Sequence, residues 1–453
     1  MDDERRAAKE GHVRGHTGST LTEVQAIVSF TTVCYALWKG VVKHYPGLAK
    51  PSLAGYIFEL GILFLAFVLA VTTEWLWEML VGMAVTAAVL ALLPARATRK
   101  KEAAVEKPAG QRLYIPFLTA SRALLQMTTV VSILAVDFHA FPRRHAKTET
   151  FGASMMDAGI GMFLYIAGIS AARPSITSGG GRGSYWTYLR RSLKSSGLIF
   201  FIGLIRVIST KSVNYQEHVE EYGVHWNFYV TLGLIPLFFA LLGASSSGTY
   251  LTAVATILVI AYQTLLERTT LQSYILHAPR TDLLSMNREG VFSLIGSFAV
   301  FLYAAAFGLR MKSRFQQQGV ASLHGTFVYQ LIGTVVFYAV TLFFTEERHV
   351  AISRRMVNLP YVTWIVALTT SQLMGVLLAD LVFGTHHTPN TLKAINRNPF
   401  TFFLVGNLLT GAINLSLDTL SYGPTAARAI VSAYVMVVTG IIIVLDRLRI
   451  TIK

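Results

Sequence analysis

The sequence has little charge and almost no cysteine, and both shortages exclude classes of protein. Only 14% of its 453 residues are charged and 53% are hydrophobic, whereas a soluble globular protein is about one quarter charged. The mean hydropathy of +0.51 agrees that much of the surface faces lipid. Cys34 is the only cysteine, which excludes intramolecular disulfides and argues against a cysteine-based metal site.

Several motifs of common enzyme and pump classes are also missing. The chain contains no G-x-S-x-G, no P-loop and no H-E-x-x-H, which argues against a serine hydrolase, an ATP-driven pump and a zinc protease. His386 and His387 are too short a run for a metal site, so neither a metal nor a bound cofactor is expected. The first 21 residues are polar and do not resemble a cleavable signal peptide.

Long apolar segments recur along the whole chain. A membrane-spanning helix needs about 20 predominantly apolar residues, whereas a β-barrel would show short alternating segments. We therefore expect an all-α, polytopic membrane protein, with a single integral-membrane domain over 1–453. About thirteen spans are predicted, at 22–42, 53–73, 75–94, 114–136, 154–172, 195–208, 227–244, 248–266, 290–309, 326–345, 360–382, 401–416 and 426–445.

The basic residues predict which side of the membrane each loop faces. A net charge of +15 would suggest nucleic acid in a soluble chain, but here the charge lies in short loops, where Lys and Arg mark the cytosolic side. We therefore expect segment 1–21 in the lumen, segment 446–453 in the cytosol and no nucleic-acid partner. The residues that indicate the cytosolic face are Arg96, Arg99, Lys100, Lys101, Lys107, Arg112, Arg173, Arg182, Arg190, Arg191, Lys194, Arg310, Lys312, Arg314, Arg447, Arg449 and Lys453.

The segment DFHAFPRRHAKTE follows the fourth predicted span, on the expected lumenal side. Pro142 cannot continue a helix and forces a turn, which could bring the side chains of Asp137 and Lys147 together. A carboxylate and an ammonium so arranged can act as a general base and its electrostatic partner. The alternative is that Arg143, Arg144 and Lys147 anchor a helix end among lipid headgroups.

Charged residues inside the predicted spans form a second group of candidates. A charge near the bilayer centre costs roughly 3 kcal/mol on insertion scales, so such groups usually face a cavity or a partner. Arg122 and Arg206 could bind phosphates, and Asp157 could pair with either arginine. Asp380 belongs to the same group, whereas Glu59 lies near the end of a span, where its side chain can reach the interface, and is set aside. Structural pairing between helices explains these residues equally well.

Two later segments carry polar side chains near or inside predicted spans. In EYGVHWNF, the residues His225, Trp226 and Asn227 lie at the mouth of the seventh span. Trp is common at membrane interfaces, however, and a lone His is more often structural than catalytic. Asn407 and Asn414 are seven residues apart, which places them on one face of a helix. We expect both amides to bond to neighbouring helices.

Several stretches carry a family resemblance in the same order along nearly the whole chain. They are HTGSTLTEVQAIVSF, ILAVDFHAFPRRHAKTETFGASMMDAGIG, KSVNYQEHVEEYGVHWNFYVTLG, NREGVFSLIG, NLPYVTWIVAL and NPFTFFLVGNLLTGAINLSLDT. Together they resemble the fungal GPI-anchored wall transfer proteins, the inositol acyltransferases of GPI-anchor biosynthesis. The resemblance implies an enzyme of the endoplasmic reticulum membrane, with helices around a lipid and acyl-CoA cavity. That family is also an antifungal target.

The resemblance implies the reaction and its partners as well. The family transfers a fatty acyl chain, typically palmitoyl, from acyl-CoA to the inositol ring of glucosaminyl-phosphatidylinositol. The expected partners are therefore palmitoyl-CoA or a similar acyl-CoA, glucosaminyl-phosphatidylinositol and membrane lipids. Acyl-CoA is a co-substrate in this reaction, so no cofactor is implied.

In the family's DF-x-x-FPRR-x-AK-x-E motif, the acid and the lysine are the proposed catalytic pair, and they fall on Asp137 and Lys147. The motif is intact, with His145 where an aromatic residue is expected. Asp137 would accept the proton of the inositol hydroxyl, and Lys147 would stabilise the oxyanion or tune Asp137. The residues expected to bind substrate phosphates and headgroup are Arg122, Arg143, Arg144, Arg206, His225, Trp226 and Asn227.

Two other functions fit part of the sequence. A secondary transporter or lipid flippase would also have many helices and charges inside the membrane, although the sequence shows no inverted repeat. A non-catalytic scaffold of a membrane complex would not explain an acid and a lysine clustered on the lumenal side, where basic residues are disfavoured.

Overall fold

The computed structural model describes residues 9, 11, 12, 14–94, 115–172, 182–212, 219–242, 247–384 and 387–451. Within these residues the structure is all-α, and the β-type pairing is one isolated bridge between Ser19 and Ala153. The long helices are α1 (Leu21–His44), α2 (Leu53–Thr72), α3 (Leu76–Leu92), α4 (Pro116–Ala135), α5 (Met155–Ala171), α6 (Arg182–Ser212), α7 (Phe228–Leu241), α8 (Gly248–Arg268), α9 (Arg288–Gln318), α10 (Ser322–Leu342), α11 (Leu359–Phe383), α12 (Pro399–Ser416) and α13 (Pro424–Arg447).

The helices agree with the expected class of protein. Each predicted span falls largely within one of the long helices. By length and composition, eight stretches of the described residues could cross a membrane, and one of them, Arg288–Glu347, contains both α9 and α10. The apolar helices α3, α5 and α7 are shorter. The all-α, polytopic membrane fold is therefore confirmed, while the number of spans stays a prediction.

Local sequence signals explain where several helices begin. Proline is the first residue of α4, α12 and α13. Its missing N–H costs nothing there, because the N–H groups of the first turn have no partner within the helix. Ser154 and Asn227 cap α5 and α7, because their side-chain oxygens accept hydrogen bonds from free backbone N–H groups of the first turn. After α9 the chain leaves the helix at Gly319, whose φ of +56° suits glycine.

The chain divides into two compact units, and the prediction of a single domain stays a prediction. The first unit comprises residues 1–24 and 143–370. Its central helix is α9, which packs against α5 and α8, while α6 packs against α7. Between Ala299 and Leu309 every side chain of α9 is buried, because neighbouring helices cover it.

Two connecting segments of the first unit are tied to each other and position the charged residues described below. The backbone N–H of Gly152 donates to the carbonyl of Ile352 at 2.8 Å, and the hydroxyl of Ser353 donates to the carbonyl of Thr150 at 2.8 Å. The side-chain oxygen of Asn358 accepts from the N–H of Ser353 at 3.1 Å. The segment after Lys147 is thereby held beside the segment that carries Arg354.

The second unit comprises residues 25–142 and 371–453. Helix α4 packs against α12, against α13 and against the short helix Asn390–Arg397. That short helix buries Thr391, Leu392, Ala394 and Ile395. Glu59, one of the charges predicted inside a span, accepts hydrogen bonds from the backbone N–H groups of Asn390 and Thr391, at 2.8 and 2.7 Å. Its role in this unit is therefore to cap a helix.

Candidate functional site

Four charged side chains of alternating sign form a continuous series in the first unit, the charge chain, which consists of Lys147, Glu221, Arg354 and Asp157. The ammonium of Lys147 donates to both carboxylate oxygens of Glu221, at 2.9 and 2.8 Å. Nη1 of Arg354 lies 3.0 Å from Oε1 of the same carboxylate. Nε of Arg354 donates to Oδ1 of Asp157 at 2.7 Å. The exposed fraction of the side chains rises from 0% at Asp157 to 37% at Lys147.

The buried end of this chain is fixed by the backbone. Helix α5 starts at Met155, and the N–H of Asp157 donates to the capping hydroxyl of Ser154 at 3.1 Å. Both carboxylate oxygens of Asp157 accept from the N–H of Thr148 at 3.2 Å. The hydroxyl of Tyr361, on α11, donates to the carbonyl of Asp157 at 2.8 Å. Asp157 therefore binds two groups: the backbone N–H of Thr148, directly after Lys147, and the guanidinium of Arg354.

Arg354 stays charged although it is buried. Burial works against the charged form, but the carboxylates of Glu221 and Asp157 outweigh it and hold the pKa of the guanidinium above its ordinary value. The charge chain thus contains two negative and two positive side chains, whose charges balance. Such a balance is the condition for burying charged groups at acceptable cost.

A small cavity adjoins the middle of the charge chain. About 10 Å³ of it is open to the centre of a water molecule, roughly the space that one water requires. The polar residues in its lining include Glu221, Arg354, Tyr361, Thr231 and Ser297. The first unit therefore places polar groups of both charges around an internal space that can hold water.

A second charged cluster lies in the same unit and has a structural role. Glu289 has 0% of its side chain exposed, and its Oε1 lies 2.7, 3.6 and 2.9 Å from guanidinium nitrogens of Arg280, Arg288 and Arg355. Arg288 also donates to the carbonyls of Ile275 and Ser285. One buried carboxylate thus fixes the segment between α8 and α9.

Asp137 lies in the second unit, just beyond the end of α4, and only 8% of it is exposed. Its Oδ2 accepts a hydrogen bond from the side-chain amide of Asn414, on α12, at 2.7 Å. One turn before Asn414 on that helix, Thr410 donates to the hydroxyl of Tyr434 at 3.2 Å. An amide that donates to one oxygen orients a carboxylate, and an oriented carboxylate can accept a proton from a hydroxyl.

The predicted phosphate-binding arginines occupy different surroundings. Arg122 is half-buried on α4, and Arg143 is half-buried in the DFHAFPRRHAKTE segment. Arg144 is already paired, because its Nε donates to Glu23 at 2.8 Å. The side chain of Arg206 lies outside the described residues, although its backbone belongs to α6. Substrate binding by these four residues stays a prediction.

The predicted headgroup residues also have local contacts. His225 is exposed, and its backbone N–H donates to Asn287. The indole of Trp226 donates to Thr231, one of the residues that line the cavity, at 2.9 Å. The side-chain oxygen of Asn227 caps α7, and its amide donates to the carbonyl of Gly203. Both ends of the Asn227 side chain therefore have structural partners, while headgroup binding stays a prediction.

Sequence reasoning missed two members of the charge chain and one pairing. It did not select Glu221 or Arg354 as site residues, and it paired Asp157 with Arg122 or Arg206. The guanidinium that binds Asp157 is that of Arg354, 197 residues away. The signal was the presence of arginines in a predicted lumenal loop, where basic residues need a local reason. Among the described residues, no three His, Cys, Asp or Glu side chains come together as metal ligands.

Comparison with known proteins relates the chain to one family over nearly its full length. The family model GWT1 matches residues 5–445. GPI-anchored wall transfer protein 1 of Gibberella zeae is 36% identical over an alignment of 493 residues, gaps included, that covers 98% of both chains. The proteins of that name from Yarrowia lipolytica and Saccharomyces cerevisiae are 33% and 31% identical, again over 98% of both chains. The chain therefore belongs to the GWT1 family, the family of the GPI-anchored wall transfer proteins.

Proposed function

We propose that this protein acts in GPI-anchor biosynthesis as an acyl-CoA-dependent inositol O-acyltransferase. Its substrates would be palmitoyl-CoA or a similar acyl-CoA and glucosaminyl-phosphatidylinositol, in the endoplasmic reticulum membrane. The observation that carries the proposal is the intact DFHAFPRRHAKTE motif within a family match that covers residues 5–445. The helices long and apolar enough to cross a membrane suit a reaction in which acceptor and acyl chain are both lipids.

In the proposed reaction, the inositol hydroxyl oxygen attacks the thioester carbonyl and its proton passes to the carboxylate of Asp137. The bond between carbonyl carbon and sulfur then breaks, and the CoA thiolate leaves. The proton that Asp137 accepted passes to the thiolate, which gives the free thiol and returns Asp137 to its carboxylate form. Lys147 stabilises the negative charge that develops on the carbonyl oxygen. The hydrogen bond from Asn414 to Asp137 supports the role of the acid, because a general base must be held in one orientation.

Direct transfer to the inositol is more consistent with this chain than an acyl-enzyme. Cys34, the only cysteine, is fully buried within α1. The sequence also lacks the G-x-S-x-G motif that exposes an activated serine. An acyl-enzyme requires a nucleophile beside a base, whereas direct attack by the inositol hydroxyl needs only the base and a group that stabilises the oxyanion.

The test is acyl transfer by the purified protein in detergent or liposomes, with radiolabelled palmitoyl-CoA and glucosaminyl-phosphatidylinositol. Asp137→Asn and Lys147→Ala are expected to lower the rate by at least about 100-fold, the usual contribution of a general base or an oxyanion donor. His225→Ala removes a predicted headgroup contact and is expected to lower the rate less than Asp137→Asn does. Normal acylation by both Asp137 and Lys147 variants would refute the mechanism, and a larger loss from His225→Ala would identify a different base.

A buried ion pair favours the second candidate, a secondary transporter or lipid flippase. The ammonium of Lys39 lies 2.6 Å from Oδ1 of Asp380, with 2% and 1% of the side chains exposed, and Tyr35 donates to the same oxygen. Charges inside membrane helices often mark transport pathways. Movement of fluorescent lipid between liposome leaflets without acyl-CoA, together with no acyl transfer, would support this candidate instead.

A further inference from the structure

We propose that Glu221 is a positioning residue for Lys147, and that Arg354 and Asp157 hold Glu221 in place. The inference rests on the proposed acyl transfer, in which Lys147 stabilises the oxyanion. Glu221 would not touch the substrate. It would act by restricting the ammonium to one position, so that little reorganisation is needed when negative charge develops.

The contact between Glu221 and Lys147 restricts the ammonium in two directions. Both carboxylate oxygens accept from Nζ, at 2.9 and 2.8 Å. A lysine side chain has four rotatable bonds and is usually mobile. Both oxygens lie on the same side of the nitrogen, so the carboxylate takes up one side of the ammonium, and N–H groups on its other side can donate to a developing oxyanion.

The carboxylate of Glu221 is itself immobile, because its other partner, Arg354, is buried. Arg354 has 8% of its side chain exposed and binds Glu221 and Asp157 at the same time. Removing a partner from a buried guanidinium leaves uncompensated charge, which is strongly unfavourable. Glu221 is therefore bound to Arg354 whether or not Lys147 is present.

The contact with Lys147 adds little to the stability of the fold. Arg354 already compensates the charge of Glu221, and the lysine side chain is 37% exposed. Ion pairs with partners of that exposure contribute little to folding. The bidentate contact is better explained by its effect on Lys147: it orients the ammonium at the exposed end of the rigid charge chain.

The chain offers a matched control one residue away. Glu220 belongs to the same short helix, Val219–Tyr222, but 62% of its side chain is exposed and it lies 3.7 Å from Arg355. Glu220→Gln and Glu221→Gln therefore make the same chemical change at neighbouring positions, and only the second removes the carboxylate that Lys147 and Arg354 share.

The first experiment compares steady-state acyl transfer by the purified full-length variants. Glu221→Gln is expected to lower kcat by about 100-fold, as misplacement of a reacting group does, with a smaller change in the KM for palmitoyl-CoA. Glu220→Gln is expected to match the wild type. Glu221→Asp keeps the charge that Arg354 needs but is one methylene shorter, so it should fold and show an intermediate kcat. Wild-type kcat in Glu221→Gln or Glu221→Asp would overturn the proposal.

The second experiment measures Lys147 without measuring the reaction. An amine-reactive reagent is applied to the folded proteins, and labelling of the peptide that contains Lys147 is followed by mass spectrometry. Glu221→Gln should label faster than the wild type and Glu220→Gln should not, because only the first releases the nitrogen. Equal labelling of all three would overturn the proposal. A wild type that labels as expected but transfers no acyl group would instead refute the proposed function.

Discussion

Asn414 and Asn407 show how two amides on one helix can have different roles. Both lie on α12, two turns apart, and were expected to bond to neighbouring helices. Asn414 is 2% exposed and donates to Asp137, so the expectation holds there. The amide of Asn407 donates to the carbonyl of Phe403, four residues earlier in the same helix. The expectation was therefore wrong for Asn407.

This difference predicts unequal effects of two identical substitutions. Asn414→Ala removes a donor from a buried carboxylate, which should cost about 1–3 kcal/mol of stability. It should also lower acyl transfer by up to about 100-fold, because Asp137 loses its orientation. Asn407→Ala removes a bond within one helix and should change neither quantity much. Thermal unfolding in detergent and the acyl transfer assay measure both effects, and equal effects of the two substitutions would contradict the assignment.

The motif residues could be predicted from the sequence, but their partners could not. Asp137 and Lys147 are ten positions apart within a recognisable motif, so sequence comparison alone selects them. Glu221 is 74 residues from Lys147, and Arg354 is in a different loop. No local pattern relates residues at such distances, because the contacts depend on how α5, α11 and the intervening segments pack.

At the scale of the helices, α5 and α9 approach each other closely through glycine. A Cβ added to Gly168 would lie 2.8 Å from the Cβ of Ala304 and still closer to the carbonyl oxygen of Phe301. A Cβ on Gly308 would likewise lie 3.0 Å from Cα of Ile169. Small residues at such crossings let helix backbones come together, as they commonly do in membrane proteins.

The close approach predicts that Gly168→Ala will destabilise the protein while Gly159→Ala will not. The methyl group at position 168 would meet backbone atoms of α9, which cannot rotate away, and overpacking of this kind costs about 1–3 kcal/mol. Gly159 is on the same helix with nothing within 4 Å of its added Cβ, so alanine should be neutral or favourable there. The melting temperatures of the two variants in detergent test this prediction. Equal values would show that α5 and α9 can move apart freely.

The hydropathy pattern located the helices well and their ends less well. We predicted spans at 195–208 and 290–309, whereas α6 covers Arg182–Ser212 and α9 covers Arg288–Gln318. Both helices continue beyond their apolar runs through Lys, Arg, Gln and Ser residues, which tolerate helical structure but lower the hydropathy. The pattern therefore reports the part of a helix that can lie in lipid, and not the whole helix.

At the scale of the whole molecule, the distribution of basic residues predicts an orientation in the membrane that can be tested. The predicted lumenal arginines Arg280, Arg288 and Arg355 surround Glu289, which compensates part of their charge. At the other end of α9, Arg310 donates to the hydroxyl of Thr249, which is neutral. Arg310, Lys312 and Arg314 are among the basic residues that predict the cytosolic face, so the two ends of α9 are expected on opposite sides of the membrane.

The two ends of α9 therefore provide a direct test of orientation. This helix has 31 residues, about 46 Å at 1.5 Å per residue, which exceeds the roughly 30 Å hydrocarbon core. Leu283 lies just before it with 73% of its side chain exposed, and Gln317 is exposed at its end. Cys34→Ala removes the only cysteine, and burial of a small thiol makes alanine a conservative replacement there.

In that cysteine-free background, Gln317→Cys and Leu283→Cys are made separately and examined in sealed microsomes with a membrane-impermeant maleimide. Gln317→Cys is expected to react in intact vesicles, because the basic end of α9 faces the cytosol. Leu283→Cys should react only after detergent opens the vesicles, because it lies on the lumenal side. The reverse pattern would invert the predicted topology and move the segment between α8 and α9 to the cytosol, whereas reaction of both before detergent would show that α9 does not cross the membrane.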